Sequence, residues 1–194
     1  LQGLNRLKDA EDSYTKAILL RPDYAEAYSN LGNSLQGLGR LEEAEANYRK
    51  AIRLKPDYAE AYSNLGLTLQ ELGRLENSEE CHKKAIALDP NFEVARYNLG
   101  LLLHEAKRHK EAAEQFKLSS IGDSKYQLLR CLYALDEESL FFDQLDNLIN
   151  QGKVHPLAGS LGCRSVLRYG INKPNLFCKD PLGYVSKTDL NIEY

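Results

Sequence analysis

The sequence contains neither methionine nor tryptophan, and only four of its 194 residues are cysteines. Cys81, Cys131, Cys163 and Cys178 lie far apart, and no CxxC pair occurs among them. This spacing favours reduced, intracellular thiols over a disulfide framework. We therefore expect a cytoplasmic chain with free thiols.

Other absences narrow the function. No apolar run approaches the roughly 18–20 residues that a membrane span requires. The net charge is −3 and the basic residues are spread along the chain, which gives no indication of nucleic-acid binding. Walker, GxSxG and GxGxxG sequences are absent, and they are the usual signatures of nucleotide binding and hydrolase chemistry. No catalytic residue and no cofactor are expected in this chain.

The histidines give no metal signature either. Their positions are His82, His104, His109 and His155. They show neither HxxxH nor HxD spacing, whereas zinc and non-haem iron sites often do. The sequence alone therefore predicts no metal site.

What the sequence does contain is a repeat of 34 residues. The segments AEAYSNLG, AEAYSNLG and EVARYNLG begin at Ala25, Ala59 and Glu93. The first full repeat matches the second at 21 of 34 positions, and the third matches the second at 11. A fixed period of this length is typical of stacked-repeat architectures, in which each unit buries its apolar face on its neighbours.

Each repeat is predicted to fold as two antiparallel helices. In the first full repeat, apolar residues follow helical spacing over 28–35 and again over 41–52. Pro56 ends the second helix, because proline cannot continue it. Asp23 and Asp57 each precede a first helix and have a glutamate three residues later. We expect these aspartates to form capping boxes.

Small residues are expected to let the two helices of a pair approach closely. Glycine inside a helix costs about 1 kcal/mol relative to alanine, so a glycine in every first helix needs a packing reason. These glycines are Gly32, Gly66 and Gly100, and the small residues at the matching position of the second helix are Ala44, Ser78 and Ala112. We expect each glycine to face the small residue of its own repeat.

This pattern resembles the tetratricopeptide repeat over about residues 1–121. The first full repeat carries the resemblance at Tyr28, Leu31, Gly32, Leu35, Ala44, Tyr48, Ala51 and Pro56, and the second at Tyr62, Leu65, Gly66, Leu69, Ser78, His82, Ala85 and Pro90. The third departs at Arg96, Ser119 and Ser124. The resemblance implies an all-α fold, a right-handed α-solenoid of antiparallel helix pairs. It also implies a non-catalytic scaffold that binds a protein or an extended peptide.

The domain organisation follows from the period. We expect an array over 1–121, made of a half repeat at 1–24 and repeats at 25–58, 59–92 and 93–121. A degenerate helix pair with a capping helix should follow over 122–170, and an extended tail or linker over 171–194.

Residues 1–24 align with the last 24 positions of a repeat, so the chain is predicted to begin inside one. The apolar stripe of this half repeat then lacks part of its partner helix. Exposed apolar patches tend to find a partner. We therefore expect self-association through residues 1–24.

Three asparagines are the main candidates for binding. Asn30, Asn64 and Asn98 occupy one position of the repeat, so stacking predicts a row of amides that can both donate to and accept from a peptide backbone. Neighbouring positions add Asn33, Ser29, Ser63, Tyr97, Gln36, Gln70 and His104 as candidate peptide contacts. Recent duplication of the repeat, or a structural role in bonding adjacent helices, would also account for the shared asparagine.

The row resembles the asparagine ladder in the tetratricopeptide arm of O-GlcNAc transferase, which implies an extended peptide ligand. The two-lysine carboxylate clamp of chaperone-binding relatives is absent, since Ser29, Ser63 and Glu60 stand at the expected lysine positions. Residues 152–190 resemble a segment of marine bacterial proteins in which such arrays precede a 2-oxoglutarate/Fe(II) oxygenase domain. This likeness implies an alternative function, the substrate-recognition arm of a larger oxygenase or glycosyltransferase whose catalytic domain lies outside this chain.

Overall fold

The computed structural model describes residues 2–151 and 156–169. Ten α-helices and no β-strand lie in this described part, which confirms the all-α fold. None of these helices combines the length and the apolar character that a membrane span needs. The chain divides into two compact units, with the border between residues 102 and 103. The predicted tail at 171–194 lies outside the described residues.

The first unit is a succession of antiparallel helices that follows the sequence repeat. Its helices are α1 (Gln2–Leu20), α2 (Ala25–Gly37), α3 (Leu41–Leu54), α4 (Ala59–Glu71), α5 (Leu75–Leu88) and the greater part of α6 (Glu93–Glu105). Consecutive helices are in contact from α1 through to α5, and α2 also touches α4. This is the packing of an α-solenoid, with the helix pairs that the period predicted.

The second unit continues with helices although the sequence repeat fades. These are α7 (His109–Lys117), α8 (Ser124–Ala134), α9 (Glu138–Asn150) and α10 (Pro156–Tyr169). Helix α8 packs against α7 and α9, and α10 packs against both α8 and α9. Helices α8 to α10 thus lie within the region 122–170, and α10 begins at Pro156.

Helix α10 is fixed on its neighbours by an aromatic and cationic cluster. The Tyr169 ring lies 5.8 Å from that of Phe142 and 6.3 Å from that of Tyr133, measured between centroids. The Arg168 guanidinium stacks 4.7 Å above the Tyr133 ring and pairs with Asp136 at 3.0 Å. These contacts hold the last turn of α10 against α8 and α9, near the turn that joins those two helices.

In each helix pair, the turn between the two helices contains one residue in the left-handed conformation. The residues and their φ angles are Gly39 at 76°, Gly73 at 75°, Lys107 at 60° and Asp136 at 61°. In every case the next N–H donates to a carbonyl five residues earlier at 2.8–3.0 Å, a common way to end a helix. The turn geometry therefore persists in the last two pairs, where glycine has been replaced.

The predicted capping boxes do not form. The N-cap residues of α2 and α4 are Tyr24 and Tyr58, and neither helix has a side-chain cap. A capping side chain must stand at the N-cap itself to reach the free N–H groups of the first turn. Asp23 and Asp57 come one residue too early.

Gly32 and Gly66 face aromatic rings, which corrects their expected pairing with Ala44 and Ser78. A Cβ added at Gly32 would lie 2.7 Å from Cε1 of Tyr48, and one added at Gly66 would lie 2.8 Å from Cε1 of His82. Both rings are fully buried. Because glycine has no side chain, it leaves room for a flat ring. On the second helix, that ring stands one turn after the small residue that was expected to face the glycine.

Gly66→Ala tests this contact. We expect the substitution to lower the free energy of unfolding by about 1–3 kcal/mol, because the buried His82 ring cannot move aside. Gly3→Ala is the matched control, since a Cβ there meets nothing within 4 Å. Urea unfolding followed by circular dichroism measures both variants.

A double-mutant cycle makes the test specific for the ring. When His82→Ala has removed the ring, adding Gly66→Ala should cost little or nothing. An equal cost in both backgrounds would show that the close contact with His82 does not limit position 66.

The apolar stripe of α1 is half-buried. Leu7, Ala10, Tyr14, Ala17 and Ile18 are all of intermediate exposure, because α2 packs against this helix. Beyond the stripe, Leu19 and Leu20 are 76% and 89% exposed. Self-association through residues 1–24 stays a prediction.

Light scattering over a range of protein concentrations tests self-association. We expect the apparent mass to rise with concentration, and Tyr14→Glu to reduce the rise because a charge resists burial. Lys84→Glu, a charge change on the exposed side of α5, serves as the control. A monomer at every concentration would contradict the prediction.

Candidate functional site

The asparagine row is partly exposed and partly buried. Asn30 on α2 and Asn64 on α4 are half-exposed, and their helices are in contact. Asn98 on α6 is only 8% exposed, and its Nδ2 is buried with no hydrogen-bond partner in the described part of the chain. The first two asparagines are therefore the accessible members of the row.

A polar network joins α2, α3 and α4 beside these asparagines. The Tyr48 hydroxyl donates to Asn33 Oδ1 at 2.6 Å and lies 3.2 Å from Gln36 Oε1. Asn64 Nδ2 donates to the same Asn33 oxygen at 3.0 Å, and Gln36 Nε2 donates to Glu71 Oε1 at 2.6 Å. Both lone pairs of the Asn33 oxygen are thus used inside the protein, which gives this asparagine a structural role.

The Asn33 bond explains why its position differs between repeats. Thirty-four residues later Leu67 takes its place, and His82 takes the place of Tyr48. The His82 ring is fully buried, and neither of its nitrogens has a hydrogen-bond partner among the described residues. Asparagine therefore accompanies the ring whose hydroxyl needs an acceptor, and leucine accompanies the ring whose nitrogens have no hydrogen-bond partner in the described part of the chain.

Two predicted contact residues lie in the wrong place for a ligand. Ser29 and Ser63 are 1% and 0% exposed, because each points into the packing between helices. A side chain without exposed surface cannot contact a peptide, so both leave the candidate set. Gln36, Gln70 and Tyr97 keep intermediate exposure, and they remain candidates.

The face formed by α2 and α4 is acidic. Neither helix contains a lysine or an arginine, and together they carry Glu26, Glu60 and Glu71. Glu26 pairs with Lys55 at 3.0 Å, and this hydrogen bond lowers the pKa of the Glu26 carboxyl. Glu60 and Glu71 are exposed, so the face presents negative charge to solvent.

The last predicted residue, His104, belongs to a different cluster in the second unit. Its Nδ1 lies 3.1 Å from Nδ1 of His109 and 3.4 Å from Sγ of Cys131. Burial lowers the pKa of His104, helped by Arg130 and His109, and burial raises the pKa of the Cys131 thiol to about 11. Both groups are therefore neutral at neutral pH.

No sequence motif connects these three residues. His104 and His109 are five positions apart, on either side of the turn between α6 and α7. Cys131 lies 27 residues after His104. Zinc sites often use two histidines separated by about three to five residues, and His104 and His109 fit that spacing, but the distant cysteine belongs to no such motif. A comparison of the repeats could have identified the two histidines. His104 and His109 replace Gln70 and Leu75 of the second repeat, and so depart from the repeat pattern.

Comparison with known proteins agrees with this architecture. Residues 4–39 and 37–73 match the family model described as TPR repeat, and residues 59–92 match the one described as tetratricopeptide repeat. This part of the chain therefore consists of tetratricopeptide repeats, and the fold is a tetratricopeptide α-solenoid. No curated protein sequence matches the chain.

Three solved structures illustrate the likeness. YrrB, described as a TPR protein with an unusual peptide-binding site, is 22% identical with a TM-score of 0.72, over 82% of this chain and 85% of its own. PilF of Pseudomonas aeruginosa is 23% identical with a TM-score of 0.72, over 86% and 78%. MamA is 21% identical with a TM-score of 0.65, over 79% and 95%. At these identities the likeness concerns the fold.

The buried His82 ring should make stability depend on pH. Burial lowers its pKa to about 4, whereas an unfolded histidine titrates near pH ~6.5. Between these values the unfolded chain binds a proton that the folded chain excludes. The free energy of unfolding should therefore fall as the pH falls through this window, by about 3 kcal/mol in total.

His82→Phe isolates this contribution, since Phe116 holds the same position in the next repeat. Urea unfolding at about pH 7.5 and about pH 5 measures the difference, and the variant should lose less stability than the parent on acidification. Equal losses in the two proteins would show that the His82 ring accepts a proton in the folded state.

Proposed function

We propose that this chain is a non-catalytic scaffold that binds an extended peptide across the face of α2 and α4. The observation that carries the proposal is the pair of half-exposed amides at the same repeat position of two touching helices, Asn30 and Asn64. A primary amide can donate to a peptide carbonyl and accept from a peptide N–H, whatever the side chains.

The network around Asn33 supports this proposal by fixing one of the two amides. Asn64 uses Nδ2 to bond Asn33, and its Oδ1 takes no part in that bond. The orientation of the Asn64 amide is thus set before a ligand arrives. Preorganised groups bind more tightly, because less conformational entropy is lost on binding.

The charge of the face supports a basic ligand. With Glu60 and Glu71 exposed and no lysine or arginine on α2 or α4, a peptide carboxylate would be repelled. A peptide with lysine or arginine side chains would instead be attracted, and salt should weaken its binding. YrrB is described as having a peptide-binding site, which is consistent with a peptide ligand on a related fold.

Selection of short random peptides against the immobilised chain tests the proposal. We expect the enriched sequences to be basic and lacking helical periodicity. Isothermal titration of an enriched peptide should show weaker binding to Asn30→Ala/Asn64→Ala, by about 0.5–1.5 kcal/mol for each hydrogen bond lost.

Asn47→Ala is the matched control. Asn47 lies on α3, where its side chain bonds the Glu43 carbonyl of its own helix at 2.8 Å, so its removal should leave binding unchanged. Glu60→Gln/Glu71→Gln should weaken binding and flatten its salt dependence. If the double asparagine variant keeps both its circular dichroism and its affinity, the asparagines are structural and the proposal is wrong.

A further inference from the structure

Three potential metal ligands converge in the second unit. His104 lies in the last turn of α6, His109 is the first residue of α7, and Cys131 lies on α8. One donor atom from each side chain falls within 4.8 Å of the donor atoms of the other two. No other group of three such side chains occurs in the described part of the chain.

Hydrogen bonding does not account for this convergence. The Nδ1 of His104 has two neighbours, His109 Nδ1 at 3.1 Å and Cys131 Sγ at 3.4 Å. An imidazole nitrogen carries either one proton or one lone pair in the ring plane, so it makes one well-directed hydrogen bond. One of the two close contacts is therefore left without a hydrogen bond.

A tetrahedral zinc ion accounts for both distances. Zinc–nitrogen bonds of about 2.0–2.1 Å and zinc–sulfur bonds of about 2.3 Å place two nitrogen ligands roughly 3.3 Å apart, and a nitrogen and a sulfur roughly 3.6 Å apart. The observed separations of 3.1 Å and 3.4 Å are close to these values. All three donor atoms lie within 4.8 Å of one another, and movement of the His109 and Cys131 side chains toward a shared ion would complete the geometry.

The backbone holds the ligands in place. Lys107 takes a left-handed conformation with φ of 60°, and Arg108 N–H donates to the Leu103 carbonyl at 2.9 Å. This turn folds the start of α7 back beside the end of α6. Helix α7 in turn packs against α8, which carries the cysteine.

The exposure of the cluster suits a bound cation, and the positive charge of a nearby arginine opposes one. Cys131 is buried while both histidines are half-buried, so one side of the cluster is open to water or to a further ligand. The neighbouring Arg130 guanidinium is hydrogen-bonded to Gln127 Oε1 at 2.8 Å. Its positive charge opposes a cation, and the negative charge of a Cys131 thiolate would offset that repulsion.

We propose that His104, His109 and Cys131 bind a zinc ion, with the fourth tetrahedral position open to solvent. Imidazole and thiolate ligands suit zinc and exclude magnesium and calcium, which prefer oxygen. The ion would join the end of α6 to α7 and α8. The site lies in the second unit and does not depend on the proposed peptide binding.

Cobalt is the spectroscopic probe for this site. When Co²⁺ is added to the full chain freed of metal by a chelator, we expect the visible bands of tetrahedral cobalt. A thiolate-to-cobalt charge-transfer band should appear in the near ultraviolet, saturating at one ion per chain. Zn²⁺ should displace the cobalt and raise the melting temperature of the protein, whereas Mg²⁺ should do neither.

Single substitutions assign the ligands. Cys131→Ala should abolish the charge-transfer band. His109→Gln, which keeps a polar side chain at this half-buried position, should weaken zinc binding by more than about tenfold. A variant with Cys81→Ser, Cys163→Ser and Cys178→Ser keeps Cys131 as its only cysteine and should retain the band.

Three outcomes would overturn the proposal. The first is the absence of tetrahedral cobalt bands in the parent chain. The second is a charge-transfer band that survives in Cys131→Ala and disappears in the variant with a single cysteine. The third is unchanged zinc affinity in His109→Gln with unchanged circular dichroism.

Discussion

The contact between a glycine backbone and an aromatic ring sets the geometry of the two most regular helix pairs. A Cβ at Gly32 or Gly66 would come within 2.7–2.8 Å of the Tyr48 or His82 ring, so the ring fills the space that a side chain would take. This contact fixes how closely the two helices approach. Tyr48 also shares a core cluster with Leu65 and Leu69 of α4, so the packing of the helices that carry Asn30 and Asn64 depends on this contact.

A buried ring also brings a polar atom into the core, and the two pairs treat it differently. The Tyr48 hydroxyl reaches Asn33 at 2.6 Å and so connects the core to the surface network. The His82 nitrogens have no partner among the described residues. An unpaired buried group costs about 1–3 kcal/mol, so the second pair gives up stability that the first retains. Asn33 therefore has a structural role, while Asn30 and Asn64 are the candidates for contact with a peptide.

The sequence predicted the helices well and the side-chain contacts less well. A period of 34 residues identifies the apolar positions that recur from repeat to repeat, and this is enough to locate each helix pair. It does not give the rotation of a helix against its neighbours. Neighbouring residues on a helix differ by roughly 100°, so Ser29 is buried while Asn30 is half-exposed. The unknown rotation of the helices also explains why Gly32 and Gly66 contact rings that lie one turn beyond the small residues predicted as their partners.

The period does not predict the contacts of residues that differ from the matching positions of the other repeats. At the end of α6 and the start of α7, His104 and His109 replace the glutamine and leucine of the preceding repeat. The turn between them keeps the left-handed geometry of its predecessors, with Lys107 at the glycine position. An unchanged backbone with changed side chains brings two imidazoles together opposite a buried thiol. In a repeat protein, the departures from the period mark where to look for chemistry that the repeat does not encode.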